Sequence, residues 1–109
     1  MKMYILIKDE VPDKMAPVIA AHASLATYKR FEQDEKMQQW IGSVFKKVVC
    51  RVSSGEFEKA RQLDQHVVLT ESALDHKEVC LGFCPREEYP KAFRFFRMWS
   101  PQQGGPSNK

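Results

Sequence analysis

Met3-Tyr4-Ile5-Leu6-Ile7-Lys8, then Val11-Pro12-Asp13-Lys14-Met15, then Ala16-Pro17-Val18-Ile19-Ala20-Ala21-His22-Ala23 is the stretch that decides the fold class. The first piece is a short β-branched and aromatic run closed by charges, the pattern of a buried strand. Pro12 holds Val11 out of the α region, so a loop follows. From Met15 to about Phe31 the chain is dense in alanine (Ala16, Ala20, Ala21, Ala23, Ala26), the best helix former. Pro17 is tolerated only in a first turn, which sets the helix start beside it. So many small side chains imply a helix lying close on another backbone. A strand running straight into such a helix opens an α/β domain.

Working outward, Glu32 to Ile41 reads as a second short helix stopped by Gly42. Phe45 to Val52 reads as a second strand. Ser53-Ser54-Gly55-Glu56 supplies serine caps and an acidic first turn for a third helix reaching about Leu63. Val67-Val68-Leu69 and Val79 to Phe83 read as third and fourth strands. The short connection between them, Glu71 to Glu78, favours antiparallel neighbours. Pro85 is expected to open a last helix carrying Tyr89, Ala92, Phe93 and Phe96, with Pro90 in its first turns. The order β-α-α-β-α-β-β-α implies parallel pairs with right-handed crossovers and one antiparallel closing strand. The expected fold class is α/β, a four-stranded mixed sheet with helices on both faces. Ser100 to Lys109 lacks core formers and is expected to be a disordered tail.

A chain of 109 residues fits one domain. The apolar fraction of 43% is ordinary for a packed core. No apolar run nears the roughly 20 residues that span a bilayer, and the run at Met3–Ile7 is too short for a signal-peptide core. The cysteines are Cys50, Cys80 and Cys84; an odd count without a secretion signal points to reduced thiols and a cytoplasmic protein. Cys80 and Cys84 lack the nearby Cys/His pair that would complete a metal site. The formal charge is +3, and the segment from Pro85 onward carries all of it: Arg86, Lys91, Arg94, Arg97 and Lys109 against Glu87 and Glu88. A basic C-terminal face suits phosphates, or is simply a solvated surface.

No glycine-rich dinucleotide loop, Walker A loop or nucleophile elbow is present. What stands out is a set of segments in fixed order. His22-Ala23-Ser24-Leu25-Ala26-Thr27-Tyr28-Lys29 lies on the first helix. Trp40 precedes Phe45-Lys46-Lys47-Val48-Val49. Val79-Cys80-Leu81-Gly82-Phe83, Pro85 and Glu87-Glu88 lead to Phe96-Arg97. In this order and spacing the chain resembles the type 2 peptidyl-tRNA hydrolase family, and its C-terminal segment is similar to a divergent branch of peptidyl-tRNA hydrolase domain-containing proteins. The likeness covers Met1 to Trp99, as a single domain.

The resemblance implies a three-layer α/β/α sandwich around a four-stranded mixed sheet. It implies hydrolysis of the ester joining a peptide to the 3′ ribose of tRNA, with tRNA or peptidyl-tRNA as partner, no metal or organic cofactor, and often a homodimer. Such chemistry needs an activated water, donors for the developing oxyanion, and cations for phosphates. Aligned on the histidine, His22 and Ala23 match the family's Ala-Ala-Gln-Cys-Ser-His-Ala stretch. The family lysine falls at Met15, with Lys14 one residue away; the glutamine falls at Ile19, and the Cys-Ser pair becomes Ala20-Ala21. The acidic residue after the third strand falls at Glu71.

The resemblance thus implies a catalytic set of His22, Lys14 and Glu71. Lys46, Lys47, Arg94 and Arg97 would guide RNA, and Ser24 and Thr27 would line the cleft. Each has a plainer alternative: His22 as a packing residue among Val18, Ile19, Leu25 and Ala26, Lys14 and Glu71 as surface charges, Ser24 and Thr27 as helix surface. Strand alternation points Lys46 and Lys47 to opposite faces. Trp40 is read as a hydrophobic anchor or as a base-stacking platform. Three functions stay open: a working or weakened peptidyl-tRNA hydrolase, a non-catalytic RNA- or protein-binding relative, and a small-molecule hydrolase reusing the crevice.

Overall fold

A computed structural model describes residues 1–102. β1 (Met3–Lys8) leads through a 3-10 turn at Asp13–Met15 into α1 (Ala16–Arg30). Then come α2 (Glu35–Ile41), β2 (Lys47–Val52), α3 (Ser54–Ala60), β3 (His66–Glu71), β4 (Lys77–Phe83) and β5 (Arg97–Met98). The stop at Gly42 and the serine cap at Ser53 act where they were read, and the structure adds the cap of α2 and the Glu56 half of a capping box. Asp34 caps α2 through Lys36 N, and Gly42 follows its last residue. Ser53 and Glu56 close a reciprocal capping box on α3. Phe45 has φ 36, a left-handed backbone no strand accepts, so β2 starts two residues later than its apolar pattern suggests.

The strands form one five-stranded mixed sheet in the order β3-β4-β1-β2-β5. β1 and β2 are parallel, with Met3 opposite Lys47 and Lys8 opposite Val52. β4 is antiparallel to both β1 and β3, as the short connection required. The period of two in β1 splits the core. Met3, Ile5 and Ile7 pack with Ile19, Ala23, Met37 and Trp40 of α1 and α2. Tyr4 and Leu6 pack with Phe57 and Ala60 of α3 and with Phe93. Both faces of the sheet are thus covered by helix or chain, which is why its central strands are apolar throughout.

Two expectations fail at the C-terminal end. The sheet has five strands rather than four, and no α-helix follows Pro85. Instead Lys91–Phe95 is a single 3-10 turn with Pro90 at its N-cap. Arg97 and Met98 then pair antiparallel with Arg51 and Cys50. The Tyr89, Phe93 and Phe96 spacing that suggested a helix serves an aromatic cluster: Tyr89 stacks on Phe93 at 5.1 Å, and Phe93 meets Phe96 at 5.0 Å. Burying those rings and closing the edge of β2 outweigh a helix broken by two prolines.

The crowding of small residues on α1 is explained at β4. A Cβ at Gly82 would lie 2.1 Å from Thr27 Oγ1 and 3.3 Å from the Ala23 carbonyl oxygen. The helix backbone sits directly on the strand there. Among the described residues no helix is long and apolar enough to cross a membrane. Of the tail expected from Ser100, residues 103–109 lie outside the described residues. Ser100 and Gln102 are held: the Ser100 carbonyl accepts from Arg51 Nη2, and the Gln102 amide donates to Asp13 Oδ2, both at 2.8 Å.

Candidate functional site

The start of the parallel strand pair and the turn after β4 come together at one end of the sheet. Met3 N donates to the Lys46 carbonyl, which sets Lys2 and Lys46 side by side ahead of β1 and β2. Lys2 also bridges Arg86, and Tyr89 Oη donates to the Lys2 carbonyl at 2.9 Å. The C-terminal segment is thereby drawn across the same end, with Lys91 and Arg94 on its turn.

Two clefts open there. One, of about 410 Å³, has Lys2, Arg86, Lys91 and Arg94 in its wall together with Glu87 and Glu88. The other, of about 280 Å³, is walled by Lys2, Lys46 and Arg94, by Tyr4, Phe93 and Phe96, and by Val48, Cys50 and Met98, with no carboxylate. Arg86 is already engaged, donating to the backbone carbonyl and side chain of Asp64. Lys2, Lys46 and Arg94 enter no ion pair among the described residues. Three cations outside any such ion pair around one hollow create a positive potential that a phosphate relieves. Burial pushes the Cys50 thiol up to about 11, so it stays neutral and contributes shape rather than a nucleophile. Burial also raises Tyr4, although Arg94 pulls the other way.

Strand alternation separates the two expected lysines. Lys46 faces this cleft, whereas Lys47 faces α2, its ammonium 5.3 Å from the Trp40 ring centre and 4.7 Å from that of Phe45. Trp40 itself is an anchor: it is buried, and its Nε1 donates to the Lys46 carbonyl at 2.8 Å. Arg97 is not part of the basic end. It lies opposite Arg51 on β5, 3.9 Å from Asp9 Oδ2, near the far end of β1.

The expected catalytic set is not assembled as a cleft. His22 is exposed, between exposed Val18 and Leu25 on the side of α1 turned from the sheet. Lys14 is exposed on the turn before α1. Glu71 caps the short turn after β3, its Oε2 accepting from Ala73 N. No hydrogen bond or ion pair among the described residues joins any two of the three. Ser24 does line a cleft, an apolar hollow between α1 and α2 shared with Leu25, Tyr28, Phe45 and Lys47. Thr27 does not: it is fully buried and donates to the Ala23 carbonyl at 2.7 Å against Gly82. Met15 and Ile19, where the family lysine and glutamine would fall, belong to the core cluster under α1.

Two residues that sequence reasoning passed over shape the molecule's ends. Lys2 completes the carboxylate-free cleft; its only signal was its place one residue before a buried strand. Arg51 is 3% exposed in mid-pattern of β2. It donates to Asp13 Oδ1, to the Ser100 carbonyl and to the Asp9 carbonyl, and it lies over the Trp99 ring. A charged residue inside an apolar strand run was the available clue.

The fold and this site define an α/β domain with a basic, carboxylate-free cleft at the start of its parallel strand pair. No family model matches the chain, and no curated protein matches it. No group of three or more His, Cys, Asp or Glu among the described residues is placed to hold a metal ion.

Proposed function

We propose that this chain is an RNA-binding protein on the type 2 peptidyl-tRNA hydrolase fold, with the α/β/α layering of that family, and that it holds tRNA without cleaving the peptidyl ester. The observation that carries the reading is the basic end of the sheet. Lys2, Lys46, Lys91 and Arg94 converge there from separate stretches of chain, and two of them, Lys46 and Arg94, are residues the resemblance assigns to RNA. Phosphate contacts supply most of the sequence-independent affinity for nucleic acid, and a convergent basic surface is what they need. The binding reading is favoured over hydrolysis by the other half of the geometry. A hydrolytic centre needs base, orienting group and oxyanion donor around one reacting atom. Here His22 faces solvent, Glu71 is spent on a cap, and apolar Met15 and Ile19 stand at the positions of the family's lysine and glutamine.

The test is a peptidyl-tRNA assay with protein in excess, run beside a tRNA-binding titration at several salt concentrations. The expected result is salt-sensitive binding and intact ester. Peptide release that disappears in His22→Ala overturns the non-catalytic reading, and absence of tRNA binding at low salt overturns the RNA reading.

A further inference from the structure

We infer that the hollow between α1 and α2 is a second site, which binds a small apolar carboxylic acid with its chain against Leu25, Ile41 and Phe45 and its carboxylate on Lys47. The inference goes beyond the RNA reading and does not depend on it. Ile5, Lys47 and Val49 line this hollow, whereas their chain neighbours Tyr4, Lys46 and Val48 line the smaller basic cleft, and strand alternation puts the two sets on opposite faces of the sheet.

The hollow holds about 570 Å³, within the range of small-molecule sites, roughly 300–1,000 Å³. Its wall offers apolar surface that the fold leaves open: Leu25 is 61%, Phe45 46% and Ile41 41% exposed. A ligand chain that covers them removes that surface from water. Two polar groups of the wall are already engaged, Trp40 Nε1 with the Lys46 carbonyl and Tyr28 Oη with Glu32 Oε2. The Ser24 hydroxyl and the Lys47 ammonium remain.

Lys47 is the one charged residue among those described in the wall. Its ammonium donates to the Phe45 carbonyl at 3.1 Å, lies over the rings of Phe45 and Trp40, and enters no ion pair among the described residues. An ammonium has three N–H groups, so two are left for a ligand, and the rings attract the cation without neutralising it. The backbone points the same way. Phe45 has φ 36, unfavourable for an aromatic residue, yet its ring stays half exposed, so little core packing offsets the strain. What the conformation does is set the ring edge-on to Trp40, 6.0 Å between centres, as a side wall of the hollow. Strained backbone of this kind collects at ligand clamps.

The charge count names the head group. One cation matches a singly charged carboxylate; a phosphate monoester brings nearly two charges, and apolar surroundings penalise the excess. The apolar groove between α3 and the 3-10 turn, about 490 Å³, gives no such sign, because Glu56 stands in its wall together with Lys59.

The experiment follows decanoate below its micellar concentration by calorimetry and amide NMR on the full chain, beside 1-decanol and decyltrimethylammonium. The variants are Lys47→Met, which keeps an apolar stem and removes the charge, and Ala21→Phe, which adds a ring at an exposed helix position in the wall; thermal unfolding checks that both fold. Decanoate is expected to bind and to shift the amides of Ser24, Leu25, Ile41 and Phe45. Lys47→Met is expected to weaken decanoate by ~10-fold and to leave decanol unchanged. Ala21→Phe is expected to weaken both. Absence of decanoate binding, equal affinity for decanoate and decyltrimethylammonium, or indifference of decanoate to either variant overturns the site. Shifts confined to Lys59, Leu63 and Phe95, in the other groove, overturn its place. None of these outcomes bears on the tRNA titration, so the RNA reading stands or falls separately.

Discussion

The two ends of β2 carry cations in opposite circumstances. At its far end Arg51 is 3% exposed and donates to a carboxylate and two backbone carbonyls. Just before its near end Lys46 is exposed, lines one cleft with Lys2 and Arg94, and enters no ion pair among the described residues. The same charge is structural in one place and available in the other. A buried cation must be matched or the fold loses stability, whereas an exposed one costs little when unmatched and can be matched by a ligand. The difference lies in burial and partners.

The sharpest way to break the comparison is to remove the carboxylate that matches Arg51. Asp13→Ala leaves a buried guanidinium without its counter-charge and is expected to cost about 3 kcal/mol in denaturant unfolding. Arg51→Met leaves Asp13, which at 35% exposed can be hydrated, and is expected to cost less, about 1–2 kcal/mol. Equal costs would mean that burial is not what distinguishes the two partners.

Between the ends, Gly82→Ala tests the sheet centre. Its new methyl group collides with Thr27 Oγ1 and presses on the Ala23 carbonyl, so α1 must move; a loss of about 1–3 kcal/mol is expected. Adding Thr27→Ala is expected to recover part of that loss, a coupling read by a double-mutant cycle. RNA affinity of the folded fraction should not change, because neither residue lines the basic clefts.

At the near end the order of effects reverses. Lys46→Ala is expected to change stability by less than about 0.5 kcal/mol. It should nevertheless reduce the slope of log affinity for tRNA against log salt by about 0.7. A stability loss as large as that of Asp13→Ala would mark Lys46 as structural and end the contrast.

The smallest expected effect concerns pH. The Arg61 guanidinium, bonded to Glu78, holds that carboxyl below its ordinary value of 4.5. A lowered folded-state value means the contribution is present above the ordinary carboxylate range and is lost as pH falls through the lowered one. With Glu78 44% exposed, solvent screening limits it to about 0.5 kcal/mol. Glu78→Gln should flatten the acid limb of the stability profile by no more than this; a larger change would contradict its exposure.

How much of this could be read beforehand depended on how local each cause is. β1, α1 and the start of α3 are set by neighbours in sequence, through a β-branched and aromatic run, alanine content and serine caps before an acidic first turn, and they stand where those signals put them. The segment after Pro85 is set by what it lands on. Its aromatic spacing fits a helix, yet Pro90 and the open edge of β2 turn it into a 3-10 turn and a strand. Thr27 was expected at a cleft because it lies three residues from Ser24; its real neighbour, Gly82, is far along the chain, and helical spacing carries no trace of it. Of the residues expected to meet RNA, Lys46 and Arg94 share a wall, while Lys47 and Arg97 are turned away by strand alternation and by the register of β5. Lys2 went unread because a lone lysine before a strand has no pattern.

The clasp formed by Arg51, Asp13, Ser100 and Gln102 bears on where the C-terminal segment lies. Gln102 is moored beside the loop that follows β1. The basic clefts lie at the opposite end of that strand, whose six residues at about 3.3 Å each span roughly 20 Å. The chain at Gln102 is thus held away from the lysines, whereas Met1 stands in the wall of the larger cleft, among them.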